Sequence, residues 1–181
     1  GVMDQRSFDW VNHLLKNKET DAVLEVSQPG LRIQFDAPTL ICLAGAKADV
    51  FLNGQSIFSF GLVQIRANDQ IEIGAFHDGA IFYLGIKNGF HSEKSMNSRS
   101  WFAGITESGS AKKGAQIAYF TNQETPPFIA SKVKFHLEWT TTKIIEAYPG
   151  PEWQSLDGKS QELIQSKEFT ISGLKNRMAI Q

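Results

Sequence analysis

Two hydrophobic periods divide the chain. In "MDQRSFDWVNHLLKN", Phe8, Val11, Leu14 and Leu15 recur at helical spacing and predict one helix with a single apolar face. Asp4 precedes it as N-cap, because a carboxylate there accepts from the N–H groups that the first turn leaves free. Trp10 lies off that stripe and reads as a half-buried core residue first and as part of a second contact surface otherwise. The period then drops to two. "AVLEVS", "LRIQFD", "TLICLAG", "ADVFLN", "SIFSF", "VQIRA", "QIEIG" and "AIFYLGI" follow in quick succession as short strands. Turn signals separate them at Pro29-Gly30, Ala37-Pro38, Asn53-Gly54, Asn68-Asp69 and Asp78-Gly79. Asn53-Gly54 is the sharpest, since both residues tolerate the positive φ of a tight hairpin. Many short antiparallel strands argue for a barrel or a sandwich. The alternation in "LRIQFD" and "QIEIG" predicts one wet face, where Glu25 of "VLEVS" is also expected. Facing inward, Glu25 would need a partner such as Arg99 or Lys47.

After Phe102 the pattern thins. "GITESGSAKKGAQ" reads as a loop, "AQIAYF" as a short strand and "TNQETPPF" as a linker, because Pro126-Pro127 cannot donate into a ladder. "KVKFHLEW" and "TKIIEAY" read as strands, with "PGP" at Pro149–Pro151 stopping the second. "SLDGKSQELIQSK" reads as a short helix with Leu163 and Ile164 inward, and "EFTIS" as a last strand. The division expected is a first β-rich lobe with the N-terminal helix, residues 1–122, and a second lobe after the linker, residues 123–181. The chain begins without an initiator Met and stops in mid-pattern at "NRMAIQ", which reads as a piece of a longer protein.

Composition narrows the function classes. The 181 residues are 41% hydrophobic and 20% charged, with 13 Phe and 4 Trp, which suits a packed core rather than disorder. The formal net charge is −1, and Lys and Arg are scattered, so the clustered positive charge that nucleic acid demands is missing. Apolar runs such as "LICLAGA" are too short for a membrane-spanning helix. Cys42 is the one cysteine and sits in an apolar setting, so it reads as a buried small hydrophobe; a reducing cytoplasm fits. His13, His77, His91 and His136 lie in separate segments without metal-ligand spacing, and no metal site is expected. His77-Asp78 reads as a solvated hairpin tip. "GSAKKG", Gly109 to Gly114, has the composition of a phosphate cradle but equally that of a flexible loop. "PGPEW" reads as a structural stop.

The densest polar stretch is "SMNSRSWF", Ser95 to Phe102. An arginine fork can hold a carboxylate or phosphate in two parallel hydrogen bonds, and Ser98 and Ser100 flank Arg99. The plain alternative is a serine-capped turn with Arg99 paired to a protein carboxylate, and spacing alone favours it.

The order of segments resembles a known family. "GVMDQRSF" before a helix, "AVLEVSQPGLRIQFDAPTLICLAGAKADVFLNG", "IFYLGIKNGF", "SRS", "KKGAQI", "YPGPEW" and "NRMAI" together resemble the KipA family. That family is also called allophanate hydrolase subunit 2 and the carboxyltransferase A/B domain, and it includes the PxpC component of bacterial 5-oxoprolinase. The likeness covers nearly the whole chain and implies that an N-terminal strand region and a C-terminal barrel segment are missing. It implies a mainly β, cyclophilin-like barrel with two short helices. It also implies a KipI-like (PxpB-like) partner and a small amide or lactam substrate. The implied activity is ATP-dependent opening of 5-oxoproline or carboxyl transfer from biotin to urea. No cofactor is expected on this chain alone; ATP or biotin belongs to the assembled complex. A non-catalytic module that sequesters a KipI-like kinase inhibitor is the alternative.

Residue by residue, "GVMD" resembles Gly-Ala-Met-Asp and puts Asp4 at a site position. "NSRSW" resembles Gly-Ser-Arg-Ser-Thr, so Ser98, Arg99 and Ser100 match while Asn97 and Trp101 depart. "KNRMA" resembles Ser-Asp-Arg-Met-Gly, so Arg177 and Met178 match, while Lys175, Asn176 and Ala179 depart. The resemblance implies Arg99, Asp4 and Arg177 as catalytic residues and Ser98, Ser100, Asn97 and Asn176 as substrate-binding ones. "GIKNGF" puts Lys87 and Asn88 in an Ala-Gly-Gly pattern, which raises the question of a lost positive φ.

Overall fold

Every described strand of the first unit is antiparallel to its neighbours, and two of them are long enough to serve both ends of one sheet. The computed structural model describes residues 1–107, 109–122 and 146–170. It separates into two units, Gly1–His136 and Leu137–Gln181. In the first, α1 (Gln5–Leu14) precedes β1 (Leu24–Val26), β2 (Leu31–Gln34), β3 (Thr39–Leu52), β4 (Gln55–Ile57), β5 (Gly61–Ile65) and β6 (Gln70–Ile86). The fold is mainly β, with α1 here and a second short helix in the other unit. β3 and β6 pair along most of their length. At one end β1 flanks β6 and β5 flanks β3; at the other, β2 flanks β6 and β4 flanks β3.

The eight expected strand segments are therefore six strands. "TLICLAG" and "ADVFLN" are one strand, as are "QIEIG" and "AIFYLGI". The β3–β6 register shifts between Gly45 and Val50. These bulges switch the inward positions from odd to even. Ile41 and Leu43 face the core, then Ala46, Ala48 and Val50; Ile71 and Ile73 do so, then Phe82, Leu84 and Ile86. An extra residue in a strand reverses every later side chain, so the bulges keep apolar groups inside along a bent ribbon. Gly45 has φ +103°, and a Cβ there would lie 2.5 Å from the Ile81 carbonyl oxygen. Asp78-Gly79, expected as a hairpin turn, belongs to this bulged stretch of β6. Positive φ at a glycine serves a bulge as well as a turn, so the local signal was real and its use different. His77 is accordingly no hairpin tip; its Nε2 lies 2.8 Å from Oδ1 of Asp49 on β3.

α1 covers the outer face of one end. Val11 and Leu15 pack with Cys42, Ala44 and Tyr83, and with the partly buried Leu40, Leu62 and Ile81. The run "LICLAG" is thus buried on both faces, which is why it does not alternate. Gly85 is the helix's seat: a Cβ there would overlap Val11 Cγ1. The far end has the expected wet face, where Arg32 and Glu72 pair at 3.0 Å.

Asn53-Gly54 closes the β3–β4 hairpin with φ of 51° and 79°. Beyond β6, Phe90 is buried, and the described residues from 91 to 122 contain only isolated bridges, His91 with Ala118 among them. "AQIAYF" contributes that bridge and no strand. The excursion is tied at its return. Ile117 and Tyr119 pack on the core, and the Tyr119 hydroxyl accepts from Ala37 N (2.9 Å) and donates to Asp36 Oδ1 (2.7 Å). Asn122 N donates to the Pro38 carbonyl at 3.0 Å.

In the second unit, Pro151–Ser155 forms a 3-10 helix with proline in its first turn. α2 (Gly158–Ser166) follows, capped by Asp157, which accepts from Ser160 N at 2.7 Å. Leu163 and Ile164, expected inward, are exposed; no residue of α2 is buried by the described part of this unit. "KVKFHLEW" and most of "TKIIEAY" lie outside the described residues. No helix among the described residues is long and apolar enough to cross a membrane.

Candidate functional site

The Gly1–Asp4 segment is fixed by a polar cluster at the start of α1. Asp4 caps the helix as the sequence predicts: its Oδ1 accepts from Ser7 N (3.1 Å) and its Oδ2 from Ser7 Oγ (2.5 Å). A carboxylate has about four acceptor positions, so Asp4 keeps two beyond those that Ser7 uses. The backbone is held from below. Tyr83 rises from the core, and its hydroxyl accepts from Met3 N (3.1 Å) and Asp4 N (2.9 Å). It donates to Glu25 Oε2 at 2.8 Å, and the same oxygen accepts from Met3 N at 3.1 Å. Burial, with the Glu25 charge behind it, pushes the Tyr83 pKa up, so the phenol stays protonated and able to donate.

Glu25 and Tyr83 are the residues that sequence reasoning missed. Glu25 faces Tyr83 across the β1–β6 ladder and accepts from its hydroxyl, a partner the sequence reading did not name. The one signal in the sequence is a carboxylate between apolar neighbours in "VLEVS". Register with a tyrosine on another strand leaves no local trace.

The "SMNSRS" stretch is a turn before it is anything else. Ser95 and Ser98 exchange both backbone bonds, N to O at 2.8 and 2.9 Å. Met96 and Asn97 have φ of 51° and 63°, the positive pair of a two-residue hairpin. Ser98 Oγ accepts from Ser100 N at 3.1 Å, fixing the chain just past the turn. Arg99 is half-buried, and its Nη1 donates to the Ser92 carbonyl. Among the described residues that carbonyl is its one partner, so Arg99 is not paired there with a protein carboxylate. The other N–H groups of its fork remain as donors. Asn97, Ser98 and Ser100 are exposed beside it, and Met96 is 86% exposed. Asn97 and Ser98 thus lie in the turn, and Arg99 and Ser100 follow it directly. Among the described residues no hydrogen bond or ion pair joins this turn to Asp4.

The Lys87–Gly89 turn answers the question of the lost glycine. Asn88 keeps a positive φ of 65°, and Gly89 follows at 73°. Asparagine tolerates this region better than other side chains. Asn88 N donates to Asn17 Oδ1 (2.8 Å), and Asn17 Nδ2 donates to the Ile86 carbonyl (2.8 Å). Lys87 Nζ donates to the carbonyls of Leu15 (2.6 Å) and Lys16 (3.1 Å), at the helix end where a cation is favoured.

Asn176 and Arg177 lie outside the described residues. Among the described residues, no group of three His, Cys, Asp or Glu is placed to hold a metal. Burial raises the Cys42 thiol pKa to about 12, which makes it a poor nucleophile. Lys112 and Ala115 close a simple exposed turn, N to O at 2.9 Å, within the former candidate cradle.

Comparison with known proteins gives a consistent result. The family described as "Carboxyltransferase domain, subdomain A and B" matches residues 1–181. A 5-oxoprolinase subunit of Haemophilus influenzae is 26% identical over 98% of this chain and 57% of its own length. A urea amidolyase of Saccharomyces cerevisiae is 32% identical over 102 residues, 56% of this chain and 6% of that one. The crystal structure of the K. lactis urea amidolyase is similar over 57% of this chain and 6% of that one, with a TM-score of 0.55 and 28% identity. The chain thus spans just over half, 57%, of the length of that bacterial relative.

Proposed function

Since the chain belongs to the family of carboxyltransferase domains, subdomain A and B, we propose that it is part of one component of a multi-subunit amide- or lactam-processing enzyme. Its reaction is ATP-dependent opening of 5-oxoproline or a related biotin-dependent carboxyl transfer, carried out with a KipI-like (PxpB-like) partner in the cytoplasm. ATP or biotin belongs to the assembled complex, and no step here is assigned to either.

The observation that carries this reading is the state of Arg99. One N–H of its fork is spent on the Ser92 carbonyl, which orients the plane and leaves donors beside the exposed Ser98 and Ser100 hydroxyls. Such a group holds a carboxylate, or the oxyanion that develops when an amide carbonyl is attacked. Asp4, fixed by Ser7, has acceptor positions to take an amide N–H or its proton. Asn97, exposed two residues before Arg99, offers a further amide.

The test is Arg99→Ala in the full-length protein reconstituted with its partner subunits, assayed with 5-oxoproline and ATP. Turnover should fall by roughly a hundredfold or more, with the melting temperature almost unchanged because the side chain is held by local bonds. Near-normal turnover refutes the assignment.

A second reading, a module that only binds a KipI-like inhibitor, draws on one observation. Met96 in the Ser95–Ser98 turn, and Phe102 and Ile105 in the turn that follows, are each more than half exposed. Calorimetric titration separates the two. Partner binding indifferent to 5-oxoproline, with no ATPase in the assembled set, favours the binding module.

A further inference from the structure

We propose that Tyr83 and Glu25 form a positioning pair that sets Asp4 for its role in the site, an inference that rests on the function proposed above. The pair lies where core packing and site meet. The Tyr83 ring is fully buried against Val11, Leu15, Cys42 and Ala44. Its hydroxyl emerges at the N-terminus of α1 and makes three hydrogen bonds, two accepted from consecutive backbone N–H groups and one donated to Glu25. A phenol oxygen that accepts from Met3 N and Asp4 N fixes the peptide planes on both sides of the Met3 Cα. That leaves the Asp4 side chain few directions in which to leave its backbone.

Glu25 completes the device. Its Oε2 accepts hydrogen bonds from the Tyr83 hydroxyl and from Met3 N, so the carboxylate holds the phenol and the segment at once. An N-cap side chain serves the N–H groups that follow it, here that of Ser7, and leaves those of Met3 and Asp4 to other partners. Here the Asp4 cap works from the helix side and the tyrosine from the sheet side. The two partners approach from 79 residues away in one case and from 3 in the other. A structural cap requires only the second. The first adds orientation, which matters where a reacting group must be held to within a fraction of an ångström.

The experiment is a cycle in the full-length protein reconstituted with its partner subunits, using 5-oxoproline and ATP. Tyr83→Phe keeps the ring in the core and removes only the hydroxyl. It should lower kcat about tenfold or more with KM changed less than about twofold. It should also speed hydrogen exchange at the Met3 and Asp4 amides. In an Asp4→Ala background the same change should cost nothing further. Glu25→Ala should reproduce the loss, and Glu25→Gln, which keeps an acceptor oxygen, should restore most of it; because Glu25 is only half-buried, these two serve even where Tyr83→Phe folds poorly. An inactive Asp4→Ala beside a fully active Tyr83→Phe overturns the positioning role and leaves the proposed function standing. A Tyr83→Phe loss that adds in full to that of Asp4→Ala overturns it too, since the tyrosine then acts elsewhere. Normal turnover in Asp4→Ala removes Asp4 from the site, and the inference falls with that assignment.

Discussion

Asp4 and Arg99 are held by opposite means. Asp4 sits on a segment bound to Tyr83 and Glu25, partners from distant strands and, in Tyr83's case, from the core itself. Arg99 follows a turn whose bonds, among the described residues, reach no farther than Ser92 on one side and Ser100 on the other. One group shares the stability of the whole sheet; the other has only its own. Global stability and local order are separate quantities. If the proposed function draws on both, one half of the substrate meets a fixed group and the other an adaptable one.

The strongest way to break this contrast is to unseat the helix. Gly85→Ala drives a methyl group into the space that Val11 Cγ1 occupies. Overpacking of this kind costs about 1–3 kcal/mol. Urea unfolding should show that loss, and hydrogen exchange should show the Met3 and Asp4 amides loosening with it, while Ser95 and Ser98 keep their protection. Equal loosening at both places would end the distinction.

Alkaline pH should act next, and again on the helix-covered end. Burial raises the Cys42 thiol to about 12 and pushes the Tyr83 phenol upward. Both native groups keep protons that the unfolded chain releases at lower pH. Their contribution to stability is complete below the unfolded values, near 9 for the thiol and 10 for the phenol, and is lost as pH rises through the folded ones. Urea midpoints should therefore fall as pH is raised from about 8 to about 11, and Cys42→Ala should flatten the decline. A midpoint indifferent to pH across that range contradicts it.

The smallest effect belongs to the turn. Asn97→Gly suits a positive φ without a side chain and should stabilise the turn by a few tenths of a kcal/mol. Amide exchange at Ser95 and Ser98 should slow, with no measurable change in melting temperature. A rise of several degrees would mean that the turn is coupled to the core after all.

The same geometry also marks how far the sequence could be read. Asn53-Gly54 and Met96-Asn97 are both two-residue turns with two positive φ values. The first announces itself, because its residues have few competing uses. The second does not, because methionine in that region works against its own Cβ and is specified by its surroundings. Asp4 as N-cap and the apolar face of α1 were legible for the same reason as Asn53-Gly54: their physics is complete within one or two turns of chain. The mainly β class followed from period two. What failed was any feature needing distant partners. The bulges that fuse eight segments into six strands depend on β3 meeting β6. The Glu25–Tyr83 bond spans 58 residues, and no window of sequence contains both ends. Of the candidate site, the residue types around Arg99 stood out at once, while the carbonyl that orients its fork did not.

The latch formed by Tyr119 and Asn122 has one more consequence. The excursion after Phe90 leaves the sheet and is brought back to Asp36, Ala37 and Pro38, so its two ends are fixed by the scaffold rather than by its own contents. Closing such a span becomes only about 0.6 kcal/mol harder when its length doubles. Evolution, or an engineer, can therefore rewrite or lengthen the segment carrying Arg99 at small thermodynamic expense, and new specificities can be grafted onto an unaltered frame.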